Sequence, residues 1–236
     1  MTDTRSVLIE RLTEIRRTKS LITNLQSSDP EVVSRVFGSQ QSQQLTIRPL
    51  FSTFALMHYS IVEAVITVGI TEMVEHVSDQ NMENASDDYL KFLIQCRLKD
   101  IKNLNFSNWY EPVKILLDEY SEGKRSVSLT QDQVRSLWAG NLDARKIREN
   151  LLEKLNLEIN GTKKARDGSD LRKIKDDRND LSHGIKSWNT VGGNYSWAEL
   201  ASISNRILIY IIRFVKCTES ATDNAFWEGS SKEMNL

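Results

Sequence analysis

Phe54-Ala55-Leu56-Met57-His58-Tyr59-Ser60-Ile61-Val62-Glu63-Ala64-Val65-Ile66-Thr67-Val68-Gly69-Ile70 is apolar on nearly every side. A sequence with no polar face over so many turns has the pattern of a helix buried in a bundle. The apolar character extends over about 49–77, which is read as the central helix. The stretch carries His58 and Glu63 and falls short of the ~20 apolar residues that cross a bilayer, so no membrane span is expected.

On the N-terminal side, Leu8, Leu12, Ile15 and Ile22 recur at helical spacing and predict a helix over about 4–25, ending at the polar SSDP turn. A short helix follows around 30–37, and the Gln/Ser stretch GSQQSQQ reads as an exposed loop or hinge. On the C-terminal side, YLKFLIQCRLKDI and the segments 111–120, 130–138 and 143–156 read as further helices. Ser169 or Asp170 caps the helix LRKIKDDRNDLSHGI, and Gly184 offers its stop. VGGNY has the composition of a short hairpin. Ser196-Trp197-Ala198-Glu199 is a capping box, opening a last helix through Leu200, Ile203, Ile207, Tyr210 and Phe214. With no repeats and no run of alternating strands, the expected class is all-α, an up-and-down helical bundle. The expected division is an N-terminal helical accessory segment over 1–45, the bundle over 46–216 and a tail over 217–236.

Composition agrees with a helical domain. The chain has 236 residues, 39% hydrophobic and 27% charged, with only 10 Gly and 3 Pro to interrupt helices. Cys96 and Cys217 lie in no CxxC or Cys/His cluster, so neither a disulfide framework nor a zinc site is expected. The charged, amphipathic N-terminus is unlike a secretory signal, and a cytoplasmic location is expected. A net charge of −1 gives no global pull toward nucleic acid, but its distribution is uneven. Residues 72–88 hold six acids and no Lys or Arg, whereas 163–175 hold six bases: Lys163, Lys164, Arg166, Arg172, Lys173 and Lys175.

Chemistry concentrates on 171–185. On a helix, Leu171, Ile174, Arg178, Leu181 and Ile185 form one stripe, which puts an always-charged guanidinium where a core residue belongs. A second stripe, Arg172, Asp176, Asn179 and His183, is wholly polar. Arg178 and His183 point about 140° apart on an ideal helix, so joint action calls for a long Arg reach, a distorted helix end or a second copy of the chain; the second copy is the reading preferred. Arg, a neutral amide and His suit phosphodiester cleavage by the RNA's own 2′-hydroxyl. Histidine moves the proton, arginine holds the phosphate bidentately, and the amide positions. No GxSxG, GxxxxGK[ST], GxGxxG or HExxH occurs, and no cofactor or metal is implied.

Arg178-Asn179-Asp180-Leu181-Ser182-His183-Gly184 resembles the R-x4-6-H motif of the HEPN superfamily, in its RN-plus-His form. With KIKDDRNDLSHG, the helix starting SWAELASI, the upstream FALMHYSIVEAVITVGI and GNLDARKIRE, the chain looks like the MAE-like HEPN proteins, over roughly 45–216 and most strongly over 140–215. The resemblance implies a metal-independent endoribonuclease whose homodimer brings two motifs face to face, acting in a toxin–antitoxin or phage-defence system with an antitoxin or other partner protein. Arg178, Asn179 and His183 are then the catalytic residues, with support from Glu63 and Asp176. Lys163, Lys164, Arg166, Arg172, Lys175 and the stacking-capable Trp188 are candidates for RNA contact. The alternative is a non-catalytic module of the same fold that binds RNA, a nucleotide or a partner protein. Plainer roles stand beside these: Arg178 paired with Asp176 or Asp177, Glu63 a satisfied buried carboxylate, His58 a satisfied interior histidine, 163–175 a solvated loop.

Overall fold

The computed structural model describes residues 2–80, 87–98, 114, 129–138, 140–149, 153, 155 and 157–223. The helices are α1 (Thr2–Gln26), α2 (Pro30–Phe37), α3 (Gln40–Gln80), α4 (Asp87–Leu98), α5 (Gln131–Ser136), α6 (Ala144–Ile147), α7 (Asp170–Ser182), α8 (Trp188–Gly193) and α9 (Trp197–Asp223). A 3-10 helix, Lys163–Gly168, precedes α7. Among the described residues there is no strand, and the class is all-α as expected. The expected helix over 111–120 and the C-terminal tail lie outside the described residues, Lys114 and the part of the tail that ends α9 apart.

Two compact units are distinguished: Arg5–Ala64 with Thr162–Ile211, and the remaining described residues. The first contains α2, α7, α8, nearly all of α1, residues 40–64 of α3 and residues 197–211 of α9. Its core is built on Phe54, which is fully buried, and on Phe51. Both rings meet Trp197 at the start of α9, with centroids 5.4 and 5.8 Å apart. Ser196 Oγ accepts the Glu199 backbone N–H (3.2 Å), which completes one half of the expected capping box. The Glu199 carboxylate meets Lys173 of α7 instead (2.8 Å). Asp170, in the first turn of α7, takes Arg206 of α9 in a fork of 2.5 and 3.1 Å, with both side chains nearly buried. The expected side-chain cap of α7 is therefore absent. Ser169 makes no capping hydrogen bond, and the Asp170 carboxylate is spent on the guanidinium.

The other unit holds Met73, Tyr89, Phe92 and Trp138 in its interior. In it Glu72 accepts the backbone N–H groups of Asp3 and Thr4 (2.8 and 3.2 Å), supplying the cap that the start of α1 needs. The acidic run at 72–88 is thus partly consumed internally, and its residues 81–86 lie outside the described ones.

Two expectations are corrected. GSQQSQQ is not a loop. Gly38 turns the chain with a positive φ, Ser39 Oγ caps at the Ser42 N–H (3.1 Å), and α3 starts at Gln40. Pro49, which the sequence placed at the first turn, stands inside α3, where it forgoes one ladder hydrogen bond. Extended in this way, α3 over Gln40–His76 is long and apolar enough to cross a bilayer, by length and composition alone. Two-thirds of its most apolar window (67%) is buried inside the protein, the behaviour of a core helix.

Candidate functional site

α7 buries Leu171, Ile174 and Asp177, so the inward stripe runs 171, 174, 177 and not through Arg178. The helix also stops at Ser182, and Ile185, expected to close the stripe, is 69% exposed beyond it. The charged side chain in the core position is therefore Asp177. It is satisfied by a short hydrogen bond donated by the Tyr195 hydroxyl, and Tyr195 lies under the Lys173 ammonium (4.1 Å to the ring centroid). Burial and the Asp177 carboxylate push the Tyr195 hydroxyl far above its ordinary range, so it stays a donor.

Arg178, one residue on, is half-buried. Its guanidinium lies 5.3 Å over the ring of Tyr59 on α3, and one amino group donates to Asn179 Oδ1 (3.1 Å). Among the described residues it has no carboxylate partner, so the plain reading of a pair with Asp176 or Asp177 does not hold. Its cationic neighbours differ. Arg172 and Lys175 meet Asp176 (4.0 and 3.5 Å), Lys173 meets Glu199, and Lys186 meets Asp180 (2.6 Å), a contact that raises the Lys186 ammonium further above its usual range.

His183 is the C-cap of α7. Ile185 N–H donates to the Asp180 carbonyl (2.8 Å) and Gly184 N–H to the Leu181 carbonyl (3.2 Å), the paired bonds of a Schellman closure. The closure needs Gly184 in the left-handed region, where its φ is 67°. The imidazole stands exposed, and among the described residues nothing hydrogen-bonds or pairs with it. Backbone closure on both sides thus fixes the root of a side chain that water can reach.

The other expected residues are distributed as follows. Asp176 is exposed and engaged by Arg172 and Lys175. Glu63 is half-buried one turn after Tyr59, on the face of α3 that carries the ring under Arg178. Lys163, Lys164 and Arg166 are exposed on the 3-10 helix, where Arg166 and Asp167 adopt left-handed backbone and Thr162 Oγ1 donates to Asp167 (2.7 Å). That helix adjoins the N-terminal end of α7, about 20 Å along the axis from His183. One chain therefore does not bring the basic loop to the motif histidine. Trp188 opens α8 and is 45% exposed. VGGNY is the end of α8 and the start of the turn after it, not a hairpin. Among the described residues, no group of three or more His, Cys, Asp or Glu is placed to hold a metal ion.

His58 is a satisfied interior histidine. Its Nδ1 lies 2.7 Å from the Phe54 carbonyl and its Nε2 2.7 Å from Ser204 Oγ. A carbonyl only accepts, so Nδ1 carries the proton and Nε2 accepts from the hydroxyl. Burial holds this imidazole down to about 4, with Lys19 adding in the same direction. Unfolded, the residue takes a proton near 6.5; folded, only near 4. The unfolded chain therefore binds more protons between those values, and the contribution is complete above 6.5 and lost as pH falls toward 4, a total of about 3 kcal/mol. Denaturant titrations of the parent and His58→Gln from pH 7 to pH 4 are expected to converge by about this amount. Parallel profiles would remove His58 from the acid response.

The sequence pattern of the HEPN_MAE_28990-like HEPN family matches residues 5–224. No curated protein and no solved structure matches the chain.

Proposed function

The chain belongs to the MAE-like HEPN family, whose domains are generally ribonuclease-related, and on that premise we propose that it is a metal-independent endoribonuclease acting through Arg178, Asn179 and His183. The observation that carries the reading is the contrast along α7 and just beyond it. Arg172, Lys173, Lys175 and Lys186 each have a carboxylate, whereas Arg178 and His183 have none among the described residues. A guanidinium stacked on a ring and left without a counter-ion suits a phosphate, whose two oxygens match its fork. An exposed imidazole on a fixed backbone suits proton transfer near neutral pH.

In the reaction, one His183 takes the proton of the ribose 2′-hydroxyl, and the departing 5′-oxygen receives a proton from the His183 of the second copy or from water. The 2′-oxygen attacks the phosphorus, the bond to the 5′-oxygen breaks, and the products are a 2′,3′-cyclic phosphate and a 5′-hydroxyl. Arg178 stabilises the charge that grows on the phosphoryl oxygens, and Asn179 holds the guanidinium in place. Glu63 supports from α3. The active form is a homodimer in the cytoplasm, serving as a toxin or defence effector checked by a partner protein.

Arg178 is half-buried against α3 and His183 is exposed past the helix end, a placement that favours a site shared between two copies. Mixing Arg178→Ala and His183→Ala proteins under conditions of subunit exchange is expected to restore cleavage, because each mixed dimer regains one site with an intact arginine and an intact histidine. No recovery, with exchange verified by differently tagged chains, would place the two side chains in separate single-chain sites.

A further inference from the structure

Resting on the ribonuclease reading, we infer that Arg48 and Trp188 form a subsite for one nucleotide of single-stranded RNA, with Trp188 stacking a base and Arg48 holding the adjoining phosphate. The Trp188 backbone is fixed: its carbonyl accepts from Oγ of the fully buried Ser52 (2.6 Å), and Ser187 Oγ caps the same turn at the Thr190 N–H (3.1 Å). The residue is nevertheless 45% exposed. A large aromatic held in water on a rigid support forgoes burial within its own chain and offers a π-face to a ligand at little ordering cost.

Arg48 reaches the same short helix from α3. Its Nε and Cζ lie 3.6 and 3.7 Å from where a Cβ on Gly193 would stand. It is half-buried, and among the described residues it has no hydrogen-bond or ion-pair partner. Gly193 follows Trp188 by five residues, about 7–8 Å along α8. Lys186, the nearest cation in sequence, is already engaged by Asp180, which leaves Arg48 to meet a phosphate. Trp188 follows His183 by five residues, so their Cα atoms are at most about 18 Å apart. Stacking is open to any base but requires one that is not buried in a duplex, and this makes the substrate single-stranded.

The test is binding of a labelled single-stranded 2′-O-methyl oligonucleotide, which no 2′-hydroxyl mechanism can cleave, so binding is read apart from His183. Trp188→Ala is expected to weaken binding about 10-fold, and Trp188→Phe to recover most of it. Arg48→Gln is expected to lower the salt slope by about 0.7, the share of one phosphate on a single strand, while Arg48→Lys retains it. Thermal midpoints of the Phe and Lys variants close to the parent's separate these effects from misfolding. A parent protein that does not bind the strand, or Trp188→Ala and Arg48→Gln proteins that bind it as the parent does, overturns the subsite. Cleavage by His183→Ala protein with the binding pattern intact would overturn the catalytic reading and leave the subsite standing.

Discussion

His183→Ala protein is expected to cleave a defined single-stranded oligoribonucleotide at least about 100-fold more slowly than the parent, since a positioned general acid or base contributes about 10²–10⁴. The imidazole is exposed and has no partner among the described residues, so its removal is expected to change stability by no more than about 0.5 kcal/mol. Arg178→Ala is expected to lose a similar factor, about 10²–10³, as when a charge-stabilising donor is deleted. Arg178→Lys separates charge from geometry: an ammonium keeps the positive charge but gives up the planar fork and much of the stacking on Tyr59, so only partial recovery is expected. Full activity in both alanine variants, measured as initial rates at saturating RNA, would mean that neither group takes part.

Gly192→Ala is expected to destabilise the protein by about 3 kcal/mol or more. A Cβ at this position would stand 1.8 Å from the Arg48 carbonyl oxygen and 2.5 Å from its carbon. The obstacle is backbone inside a continuous helix, so relief requires α8 to move off α3 by more than an ångström, with loss of the Ser52 bond to the Trp188 carbonyl. Gly193→Ala is the matched control. Its Cβ would meet only the Arg48 side chain, at 3.6 Å, and the lower backbone entropy of the unfolded chain makes it neutral or slightly stabilising. Chemical denaturation of the two variants checks the pair, and equal stability would mean that α8 does not approach α3 as closely as described.

Helix positions and ends governed by local chemistry are legible in the sequence. The spacing of apolar residues foretells α1 and α9, Ser196 caps α9 as the capping box predicts, and Gly184 stops α7 one residue past the histidine. Features set by residues distant in the chain are not. Gly192-Gly193 reads as a turn because nothing nearby reveals that Gly192 is needed for the approach to Arg48. The burial of Asp177 has no local signal, because Tyr195, the donor that permits it, lies 18 residues away. The 3, 4, 3, 4 stripe ending at Ile185 is equally regular in the sequence and gives Arg178 the inward position; the helix ends before Ile185, and the 171, 174, 177 row is the one buried.

The motif itself was legible as a string, and its surroundings were not. That Arg178 would lie on Tyr59 without a carboxylate, while four neighbouring cations each found one, depends on side chains contributed by α3 and α9 as well as α7. Arg48 gave no signal at all. An arginine before a proline, between Ile47 and Leu50, has no special chemistry until α8 is packed beside it.

The most direct measurement incubates parent and His183→Ala proteins with total RNA in EDTA and maps the new ends. The account predicts 2′,3′-cyclic phosphate and 5′-hydroxyl ends made by the parent alone, undiminished by the chelator. Cutting that disappears in EDTA, ends bearing a 5′-phosphate, or equal cutting by the His183→Ala protein would contradict it.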